Sequence, residues 1–397
     1  MIEFIIAILI GILAGTLTGL CPGIHINLVG ALLVSSLAFF LEFTSPTNLI
    51  IFIVAMGITH TFIDFIPSIF LGAPEEDTVL SILPGHELLK HGHGYQAIYL
   101  STLGSFIAII IILILTPIFI VILPNIENLI KIAIPFLLIF SSALLIFQEK
   151  KKMSAIIVFL LSGFLGLAVL NSQVSNPLLP MLSGLFGISS LIISIKTKTQ
   201  IPPQIIEKPK IKLKNLKKPI IAALLFSPLC SIFPAIGSGQ AATLGASFIK
   251  LSKKAFLVLV GATNTIFLGL SFIVLYSLGK SRSGMAANIS QILNTNLNPH
   301  ILLIIIITII LTGILCFYWT LFLARRFSKI ISHVNYQMLS FAIIIIVTII
   351  VFLISGFFGL FILAVSSCVG VYGVLSGSRR INLMGCLLIP TILYYVL

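Results

Sequence analysis

The chain has 397 residues, 59% of them apolar and only 8% charged, with a mean hydropathy of +1.23. A soluble protein of this size could not solvate such a surface, which excludes soluble enzymes and binding modules and leaves a polytopic membrane protein. The net charge of +13 has the size of a nucleic-acid footprint but not its distribution: 19 of the 23 Lys and Arg fall in Lys150–Lys152, Lys196–Lys218, Lys250–Lys254, Arg325–Lys329 and Arg379–Arg380, the clustering expected of cytoplasmic loops.

Apolar segments are expected near 3–20, 26–41, 48–71, 97–123, 125–147, 153–170 and 178–195, then near 219–235, 240–251, 255–278, 299–323, 336–355, 357–375 and 381–397. Most are long enough for helices and too long for barrel strands. The first run lacks a basic start and a small-residue cleavage site, so it reads as retained in a multi-pass protein of the cell membrane. The five cysteines lie in or beside apolar runs with no paired spacing, which predicts small core residues and no disulfide framework or zinc site.

The first segment ends in "GLCPGIHINLVG", where Pro22, Gly23, His25 and Asn27 interrupt an apolar stretch. Such a break frees backbone N–H and C=O groups that hydrocarbon cannot satisfy, and the following helical arm aims its N–H groups at an anion. A packing kink is the plainer reading, because Gly11, Gly15 and Gly19 suit close helix contact. The third segment carries Thr59, His60, Thr61, Asp64, Pro67 and Ser68. His60 and Asp64 are four apart on one helix face, and an acid within the membrane is a functional-site candidate for coupling H+ or Na+. A structural hydrogen-bonded pair is the alternative.

After it comes "GAPEEDTVLSILPGHELLKHGHG", where Pro74 followed by Glu75, Glu76 and Asp77 is a helix start. His86, His91 and His93 have metal-like side chains in a Gly-rich loop without a fixed face, and a solvated or pH-responsive loop is the better reading. The stretch 196–218, "KTKTQIPPQIIEKPKIKLKNLKK", reads as a basic cytoplasmic tether that can touch anionic lipid, between a membrane repeat at 1–195 and a second at 219–397.

The second repeat has its own break, "FPAIGSGQAAT", with Pro234, Gly237, Ser238, Gly239, Gln240 and Thr243. "GATNTIF" at Gly261 then matches "GITHTF" at Gly57, with Asn264 at the place of His60 and Leu268 at that of Asp64. Five passes between the first hairpin and the linker make the second repeat start on the opposite face. The predicted fold class is therefore an all-α integral membrane protein of two inverted-topology repeats, each with a Pro/Gly-broken hairpin, spanning or re-entrant, and about five spanning helices. Lys280 and Arg282 depart from the charge pattern on the external side, where they either attract an anion or are ordinary loop charge.

"GxxxGxxPG" at Gly15 and Gly19, and then Pro84-Gly85-His86, Gly92, Gly94 and Gly104-Ser105-Phe106 in order, resemble the large membrane subunit of the tripartite tricarboxylate transporters. The second break is similar to the corresponding break of that family. His60 and Asp64 depart from its small residues, and its later Asn-rich run is reduced to Asn264. The resemblance implies a non-enzymatic permease for carboxylate-type anions, coupled to an H+ or Na+ gradient and served by a small membrane subunit and an extracytoplasmic binding protein. It implies no cofactor and leaves a homodimer open. On the residues alone, the leading expectation is a secondary transporter of a small organic anion with a midplane site at the two breaks and Asn264, and a translocase of a lipid-linked phosphate such as polyprenyl phosphate is the alternative.

Overall fold

The computed structural model describes residues 2–21, 26–71, 82–147, 149–174, 176–196, 202–233, 237–294, 297–331 and 335–396, and these are mostly helical, with no strand among them. In chain order they are α1 (Ile2–Leu20), α2 (Ile26–Ser35), α3 (Leu37–Leu41), α4 (Pro46–Ile63), α5 (Phe65–Leu71), α6 (Ile82–Lys90), α7 (Gly94–Phe147), α8 (Lys152–Leu170), α9 (Leu178–Leu182) and α10 (Ser189–Lys196). The second half adds α11 (Leu213–Ile232), α12 (Ser238–Phe248), α13 (Lys253–Leu278), α14 (Gly284–Leu293), α15 (Pro299–Ile330), α16 (Tyr336–Leu375) and α17 (Gly385–Val396). A π-helical stretch at Ser183–Ile188 joins α9 to α10, and a 3-10 turn at Arg380–Met384 precedes α17. Eight helical stretches among the described residues are long and apolar enough to cross a bilayer, so the chain is a multi-pass membrane protein.

Burial sorts these helices. The spans Pro46–Phe70 and Lys253–Leu278 are 94% buried, against 22–50% for the other six, so α4 and α13 form the centre. Both start on a serine cap, Ser45 accepting from Asn48 N and Ser252 from Ala255 N, each at 3.3 Å. α4 packs on α1 and α15, while α13 packs on α11 and α7. The glycine stripe of α1 allows the first of these contacts: a Cβ on Gly11 would stand 2.7 Å from Ala55 Cβ, and one on Gly19 3.0 Å from Ile63 Cβ. A second group brings α8 against α17, and α16 against α9, the π-helical stretch and α10.

Several expectations need correction. The segments 97–123 and 125–147 run on as the single helix α7, with Pro117, Pro124 and Pro135 inside it, because a proline removes one helical hydrogen bond and bends a helix without having to end it. The pair 336–355 and 357–375 meets at Gly356, whose φ of +65° and ψ of −164° only glycine tolerates. The linker is shorter than 196–218, since α11 begins at Leu213 and takes in Pro219. It is also docked where a tether was expected. Ile205 N donates to Gly92 O at 2.7 Å, while Gln204 Nε2 donates to Leu89 O at 3.1 Å and its Oε1 accepts from Gly94 N at 2.8 Å. Of the cysteines, Cys230, Cys316 and Cys386 are buried as expected, but Cys21 and Cys368 are exposed; none of the five is joined in a disulfide.

Candidate functional site

Of the polar side chains that the sequence singled out, the buried crossing of α4 and α13 brings together Thr61, Asp64 and Asn264. Asn264 Nδ2 donates to Asp64 Oδ2 at 2.9 Å. Three residues earlier on α4 and one later on α13, Thr61 and Thr265 share a hydrogen bond of 3.0 Å between their hydroxyls. Thr61 and Thr265 occupy the same place in "GITHTF" and "GATNTIF", so like residues of the two helices meet face to face. All four side chains are at least 97% buried. A carboxylate, a carboxamide and two hydroxyls at this depth form a compact oxygen-rich cluster, costly in hydrocarbon unless its members satisfy one another.

Helix α7 approaches this crossing backbone to backbone. A Cβ on Gly104 would strike Val258 O of α13, and one on Gly261 would strike Ser101 O of α7. The close approach lets Ser105 Oγ reach Gly261 O at 3.1 Å and Thr61 O at 3.4 Å, so one hydroxyl ties α7 to both central helices. His60 turns toward α1, its Nδ1 3.1 Å from Thr18 Oγ1. Thr59 Oγ1 donates to Ala55 O at 2.7 Å and accepts from Cys316 Sγ of α15 at 3.1 Å. Ser68 Oγ donates to Asp64 O at 2.7 Å, bridging the step from α4 to α5.

Sequence reasoning missed Thr18, Ser105, Cys316 and Trp319, whose Nε1 donates to Thr16 Oγ1 at 3.0 Å. Single hydroxyls and thiols carry no local signal in an apolar helix. Only Ser105, inside the "GSF" run, and the lone tryptophan stood out from their surroundings.

The two breaks are described in part. Pro22, Gly23, His25 and Pro234 lie outside the described residues, as do Pro74, Glu75, Glu76 and Asp77, and nothing of the Asn27, His86 and Gln240 side chains is described. The helix after each break is short: α2 has 10 residues and α12 has 11, about 15 and 16 Å of helix against roughly 30 Å of hydrocarbon. Gly237 stands just ahead of α12, Ser238 opens it in a buried position, Gly239 comes next, and Thr243 Oγ1 donates to Gly239 O at 3.0 Å.

Around the centre, the two short helices that face these arms differ in packing. Between α6 and α12 lies a cleft of about 290 Å³, lined by Pro84, Glu87, Ala246, Leu251, Lys253 and Phe256. Lys253 Nζ sits 2.5 Å from Glu87 Oε1 at its mouth, and this hydrogen bond holds the Glu87 carboxyl below its ordinary value. α14 packs directly on α2. Asn288 is buried against Gly30, where a Cβ would collide with its amide, and Asn288 Nδ2 has no hydrogen-bond partner among the described residues. Lys280 is paired with Glu127 at 2.7 Å, so it is not a free cation, and Arg282 Nε is buried without a partner among the described residues. His91 Nδ1 lies 2.6 Å from Glu87 O, and no group of three metal-ligating side chains occurs among the described residues.

Residues 5–385 match the model of the Tripartite tricarboxylate transporter TctA family. The chain belongs to this family. It is also 33% identical over 392 residues to an uncharacterised protein of Methanocaldococcus jannaschii, with 95% of each chain covered. No solved structure matches. TctA is a transporter family, which points away from an enzyme, and the name places its members among multi-component systems with partner subunits and a substrate.

Proposed function

We propose that this TctA-family protein is a secondary transporter of a small, carboxylate-type organic anion, coupled to an H+ or Na+ gradient through Asp64. The hydrogen bond between Asn264 and Asp64 carries the reading. It sets the one acid of the two central helices' buried cores against the partner helix, so protonating or metallating that acid alters a contact between elements that must move apart. Thr61 and Thr265 supply further oxygens beside it.

The paired breaks supply the substrate side. α2 and α12 are short arms following Pro22 and Pro234, and in an inverted repeat their N-terminal N–H groups converge on one midplane cavity, with Asn27, Ser238 and Gln240 to orient the anion. The exchange of contacts supports such a repeat: α4 lies on α1 and α15 as α13 lies on α11 and α7. The open α6–α12 cleft, with α14 packed on α2, supports alternating access, with this state open on the Glu87 side. Family membership supports partner subunits, a small membrane protein and an extracytoplasmic binding protein.

The test is uptake into proteoliposomes. Wild-type protein supplied with a binding protein and small subunit should accumulate labelled di- or tricarboxylate when an H+ or Na+ gradient is imposed. Asp64→Asn should lose accumulation at least about tenfold, the loss of one charge-assisted contact, while melting as the wild type does. Normal accumulation by Asp64→Asn would make the acid structural and remove the coupling assignment.

A further inference from the structure

The stretch that joins the two halves is anchored on the turn between α6 and α7. Gln204 reaches that turn with both ends of its carboxamide. Its Nε2 donates to Leu89 O at 3.1 Å, in the last turn of α6, and its Oε1 accepts at 2.8 Å from Gly94 N, the first residue of α7. The first N–H groups of a helix have no helical carbonyl to bond, so the amide oxygen supplies a partner that α7 itself lacks. Ile205 N adds a backbone hydrogen bond to Gly92 O at 2.7 Å. Gly92 has a φ of +80°, and a Cβ there would stand 3.1 Å from Pro203 O, so the linker backbone crosses closely over a position that favours glycine.

The anchor shortens the connection between the halves. From Lys196, the end of α10, to Leu213, the start of α11, an extended chain could reach about 60 Å and would restrain little. From Ile205 to Leu213 it can reach at most about 28 Å. Pro209 stiffens that shorter piece. Ile206 and Ile211 lie partly buried against the core, while Glu207, Lys208, Lys210 and Lys212 are exposed.

The ends of this shorter piece stand on the two walls of the α6–α12 cleft. One end holds the last turn of α6, which lines the cleft with Pro84 and Glu87. The other enters α11, which packs on α12 and α13, and these supply Ala246, Lys253 and Phe256 to the cleft. Lys253 Nζ ties the same walls at the mouth, 2.5 and 2.6 Å from the two carboxylate oxygens of Glu87. That pair is exposed to water and holds weakly, whereas a covalent chain cannot let go. We propose that residues 204–212 are a strap that limits how far the α6–α12 cleft opens, with Gln204 the residue that positions α6 on it. The proposal rests on the reading of this cleft as one side of an alternating-access path, and it adds what sets the width of the opening.

The test places one Gly-Ser insertion, long enough to double the reach of the strap, on either side of the anchor: between Lys198 and Thr199, or between Glu207 and Lys208. Access to the cleft is read as the maleimide labelling rate of Ala246→Cys, followed on its own peptide by mass spectrometry so that the native thiols do not interfere. Gln204→Met, which keeps the side chain's length but neither hydrogen bond, should raise that rate about tenfold, the equilibrium change for lost hydrogen bonds of this kind. The insertion after Glu207 should raise it as well, because it lengthens the strap, and the insertion after Lys198 should leave it unchanged. If Gln204→Met does not fold, Gln204→Glu, which keeps the acceptor for Gly94 N and loses the donor to Leu89 O, takes its place and should also speed labelling. A merely structural Gln204 would lower the melting temperature without speeding labelling of the folded protein. Labelling needs no substrate, so uptake by wild-type proteoliposomes tests the transport reading separately. Equal rates after the two insertions, or an unchanged rate in the folded Gln204 variant, overturns the proposal.

Discussion

Helices α4 and α13 carry matching motifs, start on the same cap, and are buried to the same degree, yet they carry different chemistry. α4 has His60 and Asp64 where α13 has Asn264 and Leu268. Their glycines differ in the same way. A Cβ on Gly57 would meet only side-chain tips, Leu268 Cδ2 at 2.9 Å and Met285 Cε at 3.2 Å, whereas one on Gly261 would strike the Ser101 carbonyl. Matching motifs on two central helices are therefore not equivalent sites. α13 is held in place by backbone contact with α7, and α4 bears the ionisable group.

That division makes the paired glycines its sharpest test. Gly261→Ala should destabilise the protein by about 1–3 kcal/mol or prevent its folding, since a rigid carbonyl must move, while Gly57→Ala should cost less because the tips it meets can swing aside. Thermal melts of the two variants in one detergent compare them directly, and equal losses would remove the distinction between the helices.

A smaller effect is expected where like meets like. Thr61→Val, Thr265→Val and the double variant close a cycle around the hydroxyl contact between α4 and α13. Its coupling energy should be about 0.6 kcal/mol, and no more than about 1.7, as for other interhelical hydrogen bonds in membranes. Strictly additive losses would show that the two hydroxyls do not interact.

The smallest effect belongs to the exposed pair at the cleft. Lys253 holds the Glu87 carboxyl below its ordinary value of 4.5, so the ion pair's contribution is complete above that value and is lost as pH falls through the depressed one. Amide exchange of α6 should quicken over that acidic window and not above it. In Glu87→Gln the acid-induced change should vanish, and its persistence would assign the change to other groups.

Much of this was legible in advance. The membrane class, the positions of most spans, the glycine stripe of α1 and the polar residues of the third segment all follow from local composition. The single helix at Gly94–Phe147 was not, because proline signals a break in sequence while a packed helix absorbs it as a bend. The docked linker was missed for a related reason: hydrogen bonds to the turn around Gly92 leave no periodicity in a Lys- and Pro-rich stretch.

At the site, the residue types were visible and their partners were not. His60 and Asp64 share a face four residues apart, yet one reaches Thr18 and the other Asn264. Spacing along one helix restricts which side chains point together, but helix crossing decides what lies opposite. Arg379 and Arg380 make the same point in the smallest compass: two identical neighbours, one beside Glu149 and one beside Ser190.

By itself the sequence determined that the chain lives in the membrane, where most of its helices start and break, and which few polar groups must be buried with them. Those properties depend on transfer free energy and backbone hydrogen bonding, both summed over neighbouring residues. Only the tertiary structure decided that Asp64 meets Asn264, 200 residues away, and that Ser105 ties α7 to both central helices. Each depends on the angle and depth at which helices cross, and those are set by which glycines let two backbones touch.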